Sequence, residues 1–463
     1  MFTAAVIVYL ICLAGLGVRQ MHRTHTSDDF LLAGRSLPGP VLVFTLLAGW
    51  IGSGSLFAGA SLGYRAGFAA LWQSAGAWVA IVIICVLAPR VRALGQYTVG
   101  DIIERHYGVT ARSIATAATV VAYTSIAAFQ FRAGGRLLAL VSGIDPDTGT
   151  LLTALFCIAF AAAAGMMSLA YIDVANGVMM IVGVGLAAGY LAGADGGAIL
   201  TRLRADQVTV FGALNPVTDA LALFLPTLVL LLGDASMYQK LFSSRDARAA
   251  RWGAAGWLAG TIVVETLIVA VAVFGSALVP GLDPSGSEAI IMRVAVSALP
   301  AALGILLVIG AAAIIVSTAS AFLLTPATSL VRDVYQRHVD PAAASDRLIW
   351  LTRYAIAGLA IAGLVLLQFF STILEMALWA YTIYGAAVTP PLIAAFVWPR
   401  VTPRAAVASM LTALTTTVLT QLVAPGFPAI FPALLLSVSV MVVLSLRSVV
   451  SETPPPSSPS SSS

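Results

Sequence analysis

The sequence predicts an all-α polytopic membrane protein of about 13 transmembrane helices, with an inverted-repeat five-plus-five core whose first and sixth helices are broken. Three observations carry that expectation. Hydrophobic residues make up 60% of the 463-residue chain and charged residues only 10%, whereas soluble domains are about 25% charged. Apolar runs long enough to cross a bilayer recur along most of the chain. Two of them, at corresponding places in the two halves, are interrupted: one by Gly49, Gly52, Ser53, Gly54 and Ser55, the other by Gly233-Asp-Ala-Ser236. Glycine lowers helix propensity by about 1 kcal/mol relative to alanine, and freed backbone groups persist at membrane depth only where protein, ion or water satisfies them. Paired breaks therefore point to a midplane binding site. Taken alone, the first stretch fits equally well a small-residue face that lets two helices pack closely.

In chain order, residues 1–20 form a leading transmembrane helix, retained because no positive segment precedes it and no small-residue cleavage site follows. The first five-helix repeat covers residues 39–195. It opens with the broken span from about residue 40, followed by a span at 67–88 and a short amphipathic helix over 90–112 on the cytoplasmic face. Spans near 113–141, 150–167 and 172–193 complete it, the last two joined by a turn of a few residues. The second repeat covers 196–398, with a broken span at 217–238 and further spans near 253–279, 299–331, 348–367 and 374–398. Two trailing helices occupy 399–448. The tail, 449–463, is almost wholly Ser and Pro beyond Thr453, has nothing to bury and is expected to be disordered in the cytoplasm.

Charge placement sets the orientation. If the spans alternate, most of the 24 Lys and Arg residues, including Arg90, Arg92, Arg248, Arg251, Arg337 and Arg404, share one side. The positive-inside rule makes that side cytoplasmic, so the N-terminus lies outside and the C-terminus inside a multi-pass protein of the cytoplasmic membrane. The lipid bilayer is then its main surroundings, and the charge pattern gives no reason to expect nucleic acid. Cys12, Cys85 and Cys157 fall in apolar runs and suggest no disulfide framework. The four histidines fall in polar connections, so no intramembrane histidine metal site is expected. No Ser-His-Asp set or phosphate-binding loop stands out, so no catalytic residues, no enzyme and no cofactor are expected.

Six segments, in order, carry a resemblance that spans nearly the whole core. They are Ser27-Asp-Asp-Phe-Leu-Leu-Ala-Gly-Arg-Ser36, Gln96-Tyr-Thr-Val-Gly-Asp-Ile-Ile-Glu-Arg-His-Tyr-Gly108, Ala170-Tyr-Ile-Asp-Val174, Tyr238-Gln-Lys240 with Arg248 and Arg251, Ala311-Ala-Ala-Ile-Ile-Val-Ser-Thr-Ala-Ser-Ala321 followed by Arg332-Asp333, and Pro390-Pro391 through Trp398. Together they resemble the sodium:solute symporter family. The resemblance implies a sodium-coupled secondary active transporter that takes up a small organic solute by alternating access, with Na⁺ as coupling ion. Its sodium ligands would be the backbone carbonyls of Ala48, Ile51 and Ile314 and the hydroxyls of Ser317 and Thr318. The chemistry agrees, since Na⁺ is a hard cation suited to carbonyl and hydroxyl oxygens. Back-bonding within the helix is the structural alternative for the two hydroxyls.

The resemblance also implies a second sodium site at Asp173 and Ser320, although Ala321 stands where a further hydroxyl is used. Asp173 reads equally as a cap near the cytoplasmic end of its span. Substrate contacts would come from Ser53, Ser55, Gln73, Ser74, Leu230, Trp379 and Tyr381. Trp50 stands where some amino-acid-transporting relatives have a carboxylate. Arg132 and Arg136, near an outer helix end, read as residues snorkelling to headgroups. Two alternatives accompany this reading: a proton-coupled transporter of the same fold, which needs a titratable group at the ion site, and a membrane sensor or receptor module working with a separate signalling partner. The solute's identity, the ion stoichiometry and the oligomeric state are left open.

Overall fold

The computed structural model describes residues 1–21, 32–94, 98–194 and 196–451. Residues 452–463 of the tail and 27–31, half of the Ser27–Ser36 motif, lie outside the described residues. Those described form a helical bundle with no strand, only one isolated bridge between Leu37 and Ser244.

Eleven helices among the described residues are long and apolar enough to cross a bilayer. That measure does not reach the expected count of about 13, because two apolar helices fall below its length. The leading helix, α1 (Phe2–Met21), and the first half of the broken helix, α2 (Gly39–Trp50), register only as shorter apolar helices. Twelve residues rise about 18 Å, well under the roughly 30 Å hydrocarbon core. Pro38 precedes α2 and Pro40 sits in its first turn, where a missing N–H costs nothing. The chain leaves the helix at Ile51, whose ψ of 100° is extended. It re-enters through a wide π-turn, Gly54–Gly59, and α3 (Ala60–Ala66). Gly67, at φ +70°, then turns the chain into α4 (Leu71–Leu94). A side chain at Gly67 would run into the backbone of Gln207.

The region 90–112 is divided differently from the single amphipathic helix expected. Its start belongs to α4. After the undescribed residues 95–97, Thr98 caps α5 (Val99–Ser142), its hydroxyl accepting from the Asp101 N–H while the Asp101 carboxylate accepts from the Thr98 N–H. Gly108, at φ +85°, then breaks α5 into a short surface arm and a long span. Conversely, α6 (Pro146–Ala194) keeps helical bonding where a turn is expected near 168–171, because no proline interrupts it there. It carries two candidate spans, Pro146–Ala163 and Leu169–Gly193.

The second broken helix comprises α7 (Thr218–Leu232) and α8 (Ala235–Phe242), separated at Gly233-Asp234. Then follow α9 (Ala247–Leu278), α10 (Ala301–Ser329), α11 (Ser345–Leu366), α12 (Ile373–Val397), α13 (Pro403–Val423) and α14 (Ile430–Ser451). The centre of the molecule is α10. Every residue from Gly310 to Ser329 is buried, as expected of a helix apolar on all sides. It packs against α5 and α6, while α2 packs on α6 and α9, and α4 on α7 and α9. The chain before the first broken helix also bonds the chain after the second, through Leu37 N–H to Ser243 O at 3.0 Å and Arg245 N–H to Leu37 O at 2.8 Å.

Candidate functional site

The break after α2 frees carbonyls that face α10. Thr318 Oγ1 lies 3.0 Å from Ala48 O and 3.4 Å from Ile51 O. A hydroxyl carries one proton and so can donate fully to one of these two carbonyls at a time. The approach is close because residue 52 is glycine. A Cβ there would lie 2.8 Å from Thr318 Cγ2 and 2.9 Å from Gln130 Nε2, nearer than real Cβ atoms come. Past the turn, Ser53 N–H donates to Gln130 Oε1 at 2.9 Å, which holds the second half of the broken helix to α5.

The other expected ion ligands are distributed as follows. Ile314 lies one turn before Thr318 and is buried. Ser317 turns away from the two carbonyls and donates to Asp173 Oδ1. The second oxygen of Asp173 accepts from Thr45 Oγ1 at 2.6 Å. Asp173 is therefore fully buried between α2 and α10 rather than being a solvated helix end or cap, because two hydroxyls from those helices satisfy its carboxylate. Ser320 donates to Val316 O at 2.7 Å, within its own helix, and no hydrogen bond joins it to Asp173.

Lys240, on α8, adds a buried cation. Its Nζ donates to Thr45 O at 2.6 Å and is electrostatically coupled to Asp173 and Asp234. The ammonium occupies the space that a side chain at residue 49 would take. Gly49 is thus needed to admit a lysine and not only to weaken the helix.

A second polar cluster lies on the other face of the break. Ser55, Gly59, Gln73, Ser74, Thr227 and Tyr381 line a cavity of about 20 Å³ together with Trp50 and Glu265, roughly the space of one water molecule. Glu265 Oε1 accepts from Trp50 Nε1 at 3.1 Å and Ser55 Oγ at 3.2 Å, and Oε2 accepts from Trp78 Nε1 at 3.0 Å. Ser74 lines the same cavity. Four of the seven expected substrate contacts, Ser55, Gln73, Ser74 and Tyr381, therefore converge on one cavity. The other three do not line it. Ser53 Oγ faces Phe129 O at 3.4 Å, Leu230 packs under Gly385, and Trp379 rests on Phe370 at a ring separation of 5.3 Å.

Glu265 is absent from the expected set, although it is the sole carboxylate of α9 and an intramembrane carboxylate is a functional candidate by default. No motif covers that stretch, so comparison by motif passes over it. Trp50 bears on the same point, since its indole reaches to a carboxylate supplied by another helix. Arg132 and Arg136 do not snorkel. Arg132 donates to Phe370 O at 2.8 Å and to Leu367 O, and Arg136 pairs with Glu288.

At the arginine-rich end of the bundle two motif segments meet. Asp333 accepts from Thr98 Oγ1 at 3.0 Å and Thr116 Oγ1 at 2.9 Å and pairs with Arg112, which also bonds Asp101 at 2.9 Å. This buried network ties the start of α5 to the helical turn Leu330–Gln336 that continues α10.

Comparison with known proteins adds the following. The model of the sodium:solute symporter family matches residues 30–413. The sodium/pantothenate symporter of Escherichia coli (strain K12) is 27% identical, with 94% of this chain and 94% of that protein covered. The high-affinity proline transporter PutP of Bacillus subtilis (strain 168) is 24% identical over 87% of this chain and 89% of that protein. Among solved structures, a Na⁺-coupled sialic acid symporter in a substrate-bound outward-open state superimposes with a TM-score of 0.80 at 16% identity, covering 96% of this chain and 98% of that one. Mhp1, a nucleobase-cation-symport-1 family transporter, gives 0.62 at 13% identity over 92% and 96% of the two chains. At such identities the structural likeness speaks for the fold, which is a transporter fold.

Proposed function

The chain belongs to the sodium:solute symporter family and is a sodium-coupled solute symporter, and from that premise we propose where its ion and solute bind and how the two are coupled. Na⁺ binds between the first break and α10, held by the carbonyls of Ala48, Ile51 and Ile314 and the hydroxyl of Thr318. Ser317 joins them by turning from Asp173 toward the ion. The observation that carries this reading is the single Thr318 hydroxyl set against two freed carbonyls. Such oxygens are under-supplied with donors, and a cation between them uses the same lone pairs without needing a proton. Asp173 stands behind Ser317 and contributes negative potential without being a required ligand.

A polar group of the solute binds in the cavity lined by Ser55, Gln73, Ser74, Glu265 and Tyr381, which has room for about one water-sized group, and the rest of the solute extends beyond it. Coupling follows from the position of Trp50, whose neighbours Ala48 and Ile51 supply ion ligands while its indole bonds Glu265. Fixing those carbonyls around Na⁺ fixes the Trp50 backbone and with it one wall of the solute cavity. Each site thereby favours the other's occupation, a reciprocal coupling. Inward movement of one positive charge gains about 2.3 kcal/mol per 100 mV of membrane potential, so the loaded cation drives uptake. The protein works in the cytoplasmic membrane with its N-terminus outside. It performs no covalent chemistry and needs no cofactor beyond Na⁺.

The test is uptake into proteoliposomes. Labelled pantothenate and proline, the solutes in the names of the two relatives above, come first, followed by a wider panel. Accumulation under an inward Na⁺ gradient, abolished when K⁺ replaces Na⁺, is the expected result. Equal accumulation in both salts would remove sodium from the mechanism.

A further inference from the structure

The carboxylate of Glu265 is 3% exposed, and among the described residues no arginine or lysine pairs with it. Its hydrogen-bond partners are two indoles and the Ser55 hydroxyl. An indole N–H can only donate, so Trp50 and Trp78 make acceptors of both carboxylate oxygens. Both oxygens are thus oriented by neutral groups. A buried charge without a counter-charge is costly, and within a membrane it is retained where something else brings the opposite charge.

A second observation in the same cavity points the same way. Gln73, 7% exposed, lines the cavity with its Oε1 lacking any hydrogen-bond partner. Most buried polar atoms are hydrogen-bonded, so an orphaned acceptor calls for an explanation. The cavity thus offers a carboxylate without a counter-charge and one spare carbonyl, flanked by the aromatic rings of Trp50 and Tyr381 and by no positive side chain.

We propose that the transported solute carries a protonated primary or secondary amine, and that its ammonium group binds between Glu265 and Gln73 against the Trp50 and Tyr381 rings. This rests on the placement of the solute cavity described above. The ammonium supplies the missing counter-charge and gives one N–H to the orphaned Gln73 oxygen and another to the Glu265 carboxylate. Ring faces add an attraction that uncharged solutes lack. A solute whose only charge is a carboxylate meets repulsion from Glu265 at this point. Among the two solutes named above, proline has the required ammonium and pantothenate does not.

The experiment measures thermal unfolding of the purified full-length protein in detergent, in NaCl and again in KCl. The probes are L-alanine, L-proline, methylammonium and ethylenediamine, each at up to about ten millimolar, beside pantothenate and propionate as amine-free counterparts. Amine-bearing probes should raise the unfolding temperature in NaCl while amine-free ones do not. In the E265Q variant, which keeps the side-chain shape, amine affinity should fall on the order of tenfold or more, while stabilisation by Na⁺ alone persists. If E265Q does not fold, the wild-type probe series decides by itself. The proposal is overturned if no amine stabilises the wild-type protein, if an amine-free probe binds as well as its amine counterpart, or if E265Q binds amines unchanged. It is overturned as well if E265Q loses Na⁺ stabilisation instead, which would make Glu265 an ion ligand. Amines that bind equally well in NaCl and KCl would leave amine recognition standing and overturn the sodium coupling on which the preceding reading depends.

Discussion

At the second break the freed backbone is met group by group: Tyr384 donates to Gly233 O at 2.7 Å, Tyr238 to Leu232 O at 3.2 Å and Thr389 to Val229 O at 2.5 Å. Asp234 caps the continuing helix through the N–H groups of Ser236 and Met237, and the Ala235 N–H finds Tyr123 Oη at 2.6 Å. At the first break one threonine hydroxyl serves two carbonyls. The difference is one of supply. Three carbonyls with three dedicated donors have no need of a cation, whereas two carbonyls sharing one donor leave lone pairs for it. A broken membrane helix is therefore not by itself an ion site. What decides is whether the protein has already matched the oxygens that the break frees.

The sharpest way to break this comparison is to push α10 off the first break without removing a polar atom. Gly52→Ala places a methyl group against Thr318 Cγ2 and Gln130 Nε2, at 2.8 and 2.9 Å before relaxation. Overpacking of this kind costs about 1–3 kcal/mol. Because the strain falls on the proposed ligand cage, the Na⁺ concentration for half-maximal uptake should rise by up to about a hundredfold. Gly233→Ala, which crowds Thr389 at the second break, should instead lower the unfolding temperature and leave Na⁺ dependence near wild type. Equal effects of the two variants on Na⁺ affinity would erase the distinction.

Next in size is the hydroxyl itself. Thr318→Ala deletes the oxygen shared by Ala48 and Ile51, and Na⁺ affinity measured by uptake should fall about tenfold or more. Thr318→Ser keeps the oxygen and should stay within about threefold of wild type. Unchanged affinity in the alanine variant would make Thr318 a packing residue. The matching change at the second break is Tyr384→Phe. It strips a donor from a buried carbonyl, so stability should drop by about 1–3 kcal/mol with no shift in Na⁺ dependence. A shift there would show that the second break also feels the ion.

The breaks themselves were legible in the sequence because glycine and serine in an apolar run carry a local signal, as were the order of the spans and Thr318 facing the first break. What finished each break was not legible. The donors come from far along the chain: Tyr384 lies 151 residues from Gly233, and Thr318 270 residues from Ala48. Only packing reveals such partners. Lys240 illustrates the same limit, since its ammonium fills the space beside Gly49 from a helix 195 residues after Thr45. Glu265 was readable in principle as a lone carboxylate in an apolar helix. That it faces two indoles and an orphaned Gln73 oxygen was not, because α4 and α9 meet only in the folded bundle.

The smallest expected effect tests the geometry most directly. Ser320 lies two residues after Thr318, carries the same functional group and is equally buried, so sequence alone gives no reason to treat it differently. A shift of two residues rotates a side chain by about 200° around a helix. Ser320 accordingly faces away from the first break and returns its proton to Val316 O at 2.7 Å. Removing a back-bonded hydroxyl costs little, because the helix bond beneath it remains. Ser320→Ala should therefore change stability by less than about 0.5 kcal/mol and leave both the Na⁺ affinity and the Hill coefficient for Na⁺ at wild-type values. A Hill coefficient that falls from about 2 to about 1 in this variant would mean that Ser320 rotates toward Asp173 to hold a second ion. The under-supplied carbonyls of the first break would then account for only part of the sodium that this protein carries.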